Sequence, residues 1–127
     1  MKKIEIRTQN APLPVGPYSQ AVRVGDLLFV SGVLPMDLNT KTIVQNTEQA
    51  VKLIFSHLEG ILQEAGIDKN SVVKSTIFMK DLSEFSELNK HYALFFEGTQ
   101  TMPARSTVQV AKLPLDAPVE MEFIATF

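Results

Sequence analysis

Apolar residues recur every three or four positions in two stretches of the chain, which is the spacing of one helix face. The first stretch follows Asn46, which suits a helix N-terminus, and stops before Gly66, which suits a helix end. The second has Asp81 or Ser83 as its cap and ends near Gly98. The pattern therefore predicts two amphipathic helices, each with one side to bury.

Six other segments alternate between apolar and polar residues or are rich in β-branched residues, as strands are. Residues 20–24 and 27–31 flank Gly25-Asp26, which predicts a hairpin with a type II′ turn that pairs Val22 with Phe29. The other predicted strands are residues 4–8, 72–80, 105–110 and 119–127. This order predicts a single α+β domain over residues 1–127, with two helices packed on one face of a mixed sheet.

The last two predicted strands suggest which side chains lie on the uncovered face of that sheet. If they are antiparallel neighbours with their more apolar sides beneath the helices, Arg105, Thr107 and Gln109 share the other face with Glu120 and Glu122. The uncovered face is then predicted to be polar.

The composition restricts the possible chemistry of the protein more than it restricts the possible fold. The 127 residues are 45% hydrophobic and 20% charged, as in ordinary globular proteins, and include no cysteine. Thiol catalysis, disulfides and thiolate metal sites are excluded. With 12 basic and 14 acidic residues there is no basic surface for nucleic acid or an anionic membrane, and neither is expected as a partner. The first residues lack the apolar block of a signal peptide, so a cytoplasmic location is expected.

Arg105 and Glu120 are the main candidates for chemistry. The planar fork of Arg105 suits a substrate carboxylate, but a salt bridge to Glu120 or Glu122 across the strands is the more common role of such an arginine. Glu120 suits a general base or a water-positioning group, and its alternative is an edge charge that discourages aggregation. The residues alone leave both alternatives open.

Three further features carry weaker signals. Tyr18 and the pair Ser31-Gly32 lie in glycine- and proline-framed segments, which either bind a ligand or simply form turns. His57 and His91 are predicted on the surface or boundary of the helices, without the spacing of a metal triad. No metal site is expected.

The sequence resembles the RidA family, also called the YjgF/YER057c type, over nearly its whole length. The resemblance rests on Gly16-Pro17-Tyr18-Ser19-Gln20, Ser31-Gly32, Leu34-Pro35, Lys80-Asp81-Leu82, Asn89, Pro103-Ala104-Arg105-Ser106, Leu113-Pro114 and Val119-Glu120-Met121-Glu122. It implies a fold like that of trimeric chorismate mutase, assembly as a homotrimer and sites in clefts between subunits. It also implies hydrolysis of 2-imino acids or their enamine tautomers to 2-keto acids and ammonia, without a cofactor.

The resemblance also implies roles for individual residues. Arg105 becomes the carboxylate clamp and Glu120 holds or activates the attacking water. The residues expected to line the site or bind substrate are Tyr18, Ser31, Gly32 through its N–H group, Asn89 and Thr107.

Two positions depart from the family pattern. Val33 stands where many members have glutamine, and Thr107 stands where many have cysteine. Thr107 is expected to be harmless because the backbone carbonyl of that position is used. Val33 keeps open an alternative, in which the trimer binds a small carboxylate such as a 2-keto acid without turnover. A ribonuclease role, attached to some relatives, is disfavoured by the absence of a basic surface.

Overall fold

Two helices lie on one face of a six-stranded mixed sheet, as the sequence predicts. The computed structural model describes residues 1–127. The elements are β1 (Lys3–Ile6), β2 (Ala21–Val24), β3 (Leu27–Val33), α1 (Thr47–Glu64), β4 (Val72–Met79), α2 (Phe85–Phe95), β5 (Ala104–Gln109) and β6 (Val119–Thr126). The predicted α+β class is confirmed.

The strand order in the sheet is β1-β2-β3-β6-β4-β5, and only the β4–β5 pair is parallel. The expectation that β5 and β6 are neighbours is wrong, because β4 lies between them. The reason is the connection through α2, which carries the chain from β4 across the sheet and back as a parallel neighbour. The final strand then enters antiparallel between β3 and β4.

The hairpin of β2 and β3 has the predicted register, with Val22 opposite Phe29. Gly25 adopts a φ of +58°, which a type II′ turn requires at its first central position. The hairpin prediction is confirmed, and it fixes the end of β3 where Ser31 and Gly32 lie.

Both helices begin and end close to the predicted residues. The side chain of Asn46 accepts a hydrogen bond from the Gln49 N–H group, and Gly66 follows α1 with a φ of +79°. A 3₁₀ turn at Leu82–Glu84, capped by Asp81, precedes α2. Neither helix combines the length and apolarity needed to cross a membrane.

The core lies between the helices and one face of the sheet. Its aromatic part is centred on Phe55 of α1, whose ring stacks on Phe95 at 4.2 Å and meets Tyr92 edge-on at 5.7 Å. Phe123 of β6 approaches the same ring from the sheet. These contacts attach α2 to α1. They thereby fix the position of the face of α2 that carries Tyr92.

The prediction that Arg105, Thr107 and Gln109 lie on the uncovered face is wrong. Arg105 lies beside Ser75 of β4, whose side chain is buried under the helices. Because laterally paired residues point to the same face, alternate β5 residues from Arg105 onward face the helices. Glu120 lies beside Phe78 and points to the other face.

This orientation also changes the character of the uncovered face. Its apolar side chains come from five strands: Val22, Val24, Leu27, Phe29, Phe78, Val108 and Ile124. Phe29 and Val108 are 44% and 45% exposed. Val108 therefore joins an apolar face away from the helices, which is why the alternation in β5 was assigned to the wrong sides. The uncovered face is mixed rather than polar.

Gln20 ties the segment before β2 to the rest of the fold. Its buried amide donates to the carbonyl oxygens of Thr8, Ala11 and Pro12 and accepts a 2.8 Å hydrogen bond from the Thr8 N–H group. Proline and turn residues cannot satisfy these backbone groups within a regular element. One side chain thus replaces secondary structure in this loop.

Gln20→Leu should lower the free energy of unfolding by about 2 to 4 kcal/mol, because it leaves buried backbone groups without partners. Denaturant unfolding measures the change. Gln45→Leu is the matched control: Gln45 is exposed with one 3.3 Å hydrogen bond, and its replacement should change stability by less than about 0.5 kcal/mol. Equal effects of the two substitutions would contradict this role of Gln20.

Candidate active site

The end of β3 and the preceding loop form the first group of candidate residues. The Ser31 hydroxyl donates a 2.6 Å hydrogen bond to the Ser19 carbonyl oxygen, and the Ser31 N–H group donates to the Gln20 carbonyl oxygen. These bonds attach the loop to the strand. Tyr18, which is half exposed, is held next to Ser31 and Gly32 along one cavity.

Glu120 lies directly against Gly32. A Cβ atom placed on Gly32 would be 2.7 Å from both Cδ and Oε2 of Glu120, closer than nonbonded atoms tolerate. A side chain at this position would displace the Glu120 carboxyl group, so glycine allows this group to approach the backbone closely. The structure brings together Tyr18, Ser31, Gly32 and Glu120, as the sequence analysis requires of a site.

The environment of Glu120 makes its charge unfavourable. Partial burial raises the pKa of this carboxyl, and the neighbouring charge of Glu122 raises the pKa further. None of the four ion pairs of the chain includes Glu120. A carboxyl with a raised pKa and no cationic partner suits proton transfer better than it suits a structural ion pair.

The second group of candidate residues consists of Arg105 and the residues of α2 that lie beside it. The Arg105 guanidinium lies 4.8 Å from the ring centre of Tyr92 and 5.3 Å from that of Phe85. The Tyr92 hydroxyl donates to the Ser75 hydroxyl at 2.9 Å, which holds the ring in place. No carboxylate lies within ion-pair distance, so the salt-bridge interpretation of Arg105 is wrong for this chain.

Thr107 and Asn89 lie on the same side as Arg105. Thr107 shares a groove of about 390 Å³ with Arg105, Phe85 and Leu82, and its hydroxyl is buried without a hydrogen-bond partner. Asn89 follows Phe85 by four residues and is half buried on that side of α2. A guanidinium without a carboxylate of its own chain, beside a hydroxyl without a partner in the chain, is the arrangement expected of a polar ligand site.

The two groups do not meet within one chain. β3 and β5 are separated by β6 and β4, which places them about 14 Å apart at the usual strand spacing. The side chains of Arg105 and Glu120 also point to opposite faces of the sheet. A small acid held by Arg105 therefore cannot reach Glu120 of the same chain.

Both histidines are buried, which contradicts their predicted surface or boundary positions. His57 Nε2 lies 2.8 Å from the Met36 carbonyl oxygen, and burial lowers the pKa of this imidazole. His91 Nε2 lies 3.0 Å from Glu87 Oε1 and 3.6 Å from Glu48 Oε1. His57 thus bonds to a carbonyl oxygen outside its helix, whereas His91 bonds to Glu87 of its own helix and lies near Glu48 of α1. Periodicity does not reveal either arrangement.

An apolar cavity lies beside the first group, and no sequence pattern predicts it. It lies between the loop at Ala11–Tyr18, β3 and α1, and nine of its 13 lining residues are hydrophobic. Its residues come from segments distant in sequence, and no local pattern brings them together. The departure at Val33 was the one signal pointing to it, because this side chain forms part of the wall.

The architecture defines a class of protein, namely a two-helix α+β domain on a mixed six-stranded sheet with a β4–α2–β5 crossover. A family model described as Endoribonuclease L-PSP matches residues 8–127. The chain belongs to this family, the RidA/YjgF family that its sequence resembles.

Individual relatives agree with this assignment. A RutC family protein of Aquifex aeolicus is 45% identical over 95% of this chain and 97% of its own. A 2-iminobutanoate/2-iminopropanoate deaminase of Salmonella typhimurium is 39% identical over 94% of each chain. Among solved structures, the Rid family protein YyfA of Yersinia pestis has a TM-score of 0.96 at 39% identity, over 99% of this chain and 100% of that one. Relatives at this level of identity include imine deaminases.

Proposed function

We propose that the protein hydrolyses 2-imino acids and their enamine tautomers to 2-keto acids and ammonia. The observation that carries the proposal is the guanidinium of Arg105, which lies on two aromatic rings with no carboxylate of its own chain beside it. A planar cation held this way is ready to bind a substrate carboxylate through two parallel hydrogen bonds. The deaminase name of a relative at 39% identity supports the same reaction.

The site is formed by two subunits of a homotrimer. Arg105, Thr107 and Asn89 of one subunit face Tyr18, Ser31, Gly32 and Glu120 of the next. The separation of these groups on opposite faces of one sheet favours such an arrangement. The exposed apolar side chains of the uncovered face, including Leu27 and Phe29, supply surface for self-association.

The reaction requires the protein to orient the substrate and to move a proton from the attacking water molecule to the leaving nitrogen. Arg105 holds the carboxylate, and Glu120 takes a proton from a water molecule that attacks the electrophilic iminium carbon. The C–O bond forms as the π electrons of the C=N bond move to nitrogen, which gives a carbinolamine. Glu120 then returns its proton to the nitrogen, the C–N bond breaks as the hydroxyl oxygen forms the C=O bond, and the hydroxyl proton leaves with the nitrogen as ammonium. Residues that use only oxygen and nitrogen atoms are sufficient for these steps, in agreement with a chain that has no cysteine.

A coupled assay tests the proposal. A dehydratase acting on serine releases 2-aminoacrylate, and the purified protein should accelerate formation of pyruvate and ammonia from it. Absence of any acceleration by the wild-type protein would contradict deaminase activity. Calorimetry that gives 2-keto acid binding under those conditions would favour the alternative, a non-catalytic trimer that binds small carboxylates.

The pH dependence should report the environment of Glu120. As the base, Glu120 must be ionised, so kcat/KM should fall as the pH drops through the pKa of this carboxyl, which burial and the charge of Glu122 raise. Glu122→Gln removes the second cause of the raised pKa and should move this fall to lower pH. Glu5→Gln, an exposed glutamate on β1, is the control. A profile that Glu122→Gln does not move would contradict the assignment.

A further inference from the structure

Three potential metal ligands meet where the N-terminal turns of α1 and α2 lie side by side. Glu48 belongs to the first turn of α1, and Glu87 belongs to the first turn of α2. His91 follows Glu87 by one helical turn, so both side chains emerge on the same side of α2. The sequence pattern shows only this Glu–His pair, because the third ligand comes from the other helix.

The three ligand atoms have nearly the spacing that a zinc ion requires. Oxygen and nitrogen ligands lie about 2.0 to 2.2 Å from zinc, so in a tetrahedral site they lie about 3.3 to 3.6 Å from one another. His91 Nε2 is 3.0 Å from Glu87 Oε1 and 3.6 Å from Glu48 Oε1. The ligand oxygen atoms of the two glutamates also lie within 4.8 Å of each other. Small rotations of two partly exposed side chains are therefore enough to admit the ion.

His91 supplies an independent observation, because it is a buried imidazole with no polar contact outside this cluster. Its side chain is 4% exposed. Nδ1 is buried without a hydrogen-bond partner, and the polar atoms near Nε2 are the carboxylate oxygen atoms of Glu87 and Glu48. Buried polar side chains of native proteins nearly always have partners. The direction of Nε2, toward two carboxylates, therefore indicates a cation between them.

The donor set selects the kind of cation. Two carboxylates and one neutral imidazole carry two negative charges, which balance a divalent ion. Imidazole together with carboxylate suits Zn²⁺, whereas Mg²⁺ and Ca²⁺ take oxygen ligands. The side chains of Glu48 and Glu87 are 45% and 38% exposed, so water can supply the remaining ligand.

We propose that Glu48, Glu87 and His91 bind a Zn²⁺ ion that links the N-terminal turns of α1 and α2. The ion takes Nε2 of a neutral ring, so the proton that Nε2 donates to Glu87 moves to Nδ1. Nδ1 has no acceptor in the chain, and the loss of such an outer hydrogen bond costs about 10- to 100-fold in metal affinity. The dissociation constant is therefore expected in the micromolar range.

This zinc site is separate from the candidate active site, so the inference does not depend on the proposed function. Phe85 and Asn89 lie toward Arg105, and each is two residues away from Glu87. At about 3.6 residues per turn, a step of two residues leads to the other side of a helix. Removal of zinc should therefore leave kcat/KM for imine hydrolysis within about twofold of its value with zinc.

Equilibrium dialysis against ZnCl₂ tests the proposal on the purified protein, prepared without a histidine tag and freed of metal with EDTA. One ion should bind per chain. Zinc at about 100 times its dissociation constant should raise the melting temperature by about 5 °C or more, and Mg²⁺ at the same concentration should not. Absence of zinc binding would overturn the proposal. An equal shift with Mg²⁺ would also overturn it, because simple charge neutralisation would explain both ions.

Variants assign the binding to this cluster. Glu48→Gln and Glu87→Gln should each weaken zinc binding by roughly tenfold or more, because each replaces a charged ligand with a neutral amide. Glu59→Gln is the matched control: Glu59 is exposed about 16 Å further along α1, and its replacement should change the affinity by less than about twofold. Lys52→Gln should strengthen binding, since Lys52 pairs with Glu48 Oε1 at 3.0 Å and competes with the ion. Zinc binding that neither Glu48→Gln nor Glu87→Gln weakens would overturn the assignment.

The two histidines of the chain identify the ligand in a single sample. In nitrogen-detected NMR spectra of the imidazole rings, zinc should shift the Nε2 resonance of His91. The ring of His57, whose Nε2 lies 2.8 Å from the Met36 carbonyl oxygen, should keep its resonances. This measurement needs no substitution of the buried His91, so it does not depend on a variant that fails to fold. A zinc-induced shift at His57 with none at His91 would overturn the proposal.

Discussion

Glu120→Gln should lower kcat/KM for imine hydrolysis by a factor of roughly 10² to 10⁴, the range that a general base contributes. The amide keeps the size of the side chain and its place against Gly32, but it cannot accept a proton from water. Stopped-flow measurement of the imine in the presence of each protein gives the change directly.

Stability distinguishes this loss from damage to the fold. Because burial raises the pKa of Glu120, its charged form is less favourable in the folded protein than in the unfolded chain. This cost is absent below the ordinary pKa of glutamate and is fully present above the raised one. Glu120→Gln should therefore be at least as stable as the wild type at neutral pH, and show no such advantage in acid. A variant that loses activity together with stability at neutral pH would contradict a catalytic role.

Arg105→Ala should lower kcat/KM by roughly ten- to a few hundredfold, since a charge-assisted bidentate contact contributes about 1.5 to 3 kcal/mol. Arg105→Lys should recover only part of the loss, because an ammonium group keeps the charge but not the planar fork. The affinity for a 2-keto acid product, measured by calorimetry, should follow the same order: highest for the wild type, lower for Arg105→Lys and lowest for Arg105→Ala.

Arg23 provides a matched control for Arg105. Its guanidinium also stacks on an aromatic ring, 3.6 Å from the centre of Phe127, and donates to the Gly25 carbonyl oxygen. Arg23→Ala removes the same kind of side chain from a position outside the site. It should leave kcat/KM within about twofold of the wild type, whereas an equal loss from both substitutions would point to general destabilisation.

Local sequence patterns predicted the elements of this fold well. Periodicity in α1, the cap at Asn46 and the turn at Gly25 are each determined by interactions within a few residues, and each was confirmed. The pairing of strands depends on the whole chain. The sequence does not reveal that the crossover through α2 inserts β4 between β5 and β6. Nor does it reveal that the uncovered face is partly apolar and includes Val108, which is why the predicted face of Arg105 is wrong.

The candidate site shows the same division between local and long-range information. Tyr18, Ser31, Gly32 and Glu120 were selected from motifs, and the fold brings them together because β3 and β6 are neighbours. Arg105 was selected with them but lies on the other face of the sheet, beside Tyr92. Motifs select residues for a site without showing on which face of the sheet each residue lies.

The apolar cavity and the strained Leu115 were not predicted. Val15 and Tyr18 come from one loop, Ile61 from α1 and Leu115 from the turn before β6, so the wall exists only in the folded chain. Positive φ at a leucine has no sequence signal, because leucine is not a residue that favours that conformation. These features belong to tertiary structure alone.

Mixing two impaired variants tests most directly the claim that the site is built from two subunits. Arg105→Ala and Glu120→Gln, unfolded together in equal amounts and refolded, form mixed trimers in which about one quarter of the sites hold an intact Arg105 facing an intact Glu120. Activity should therefore rise to about one quarter of the wild-type value, whereas each variant refolded alone should keep about a tenth of that value or less. Activity of the mixture no greater than the mean of the two variants would contradict a site shared between subunits.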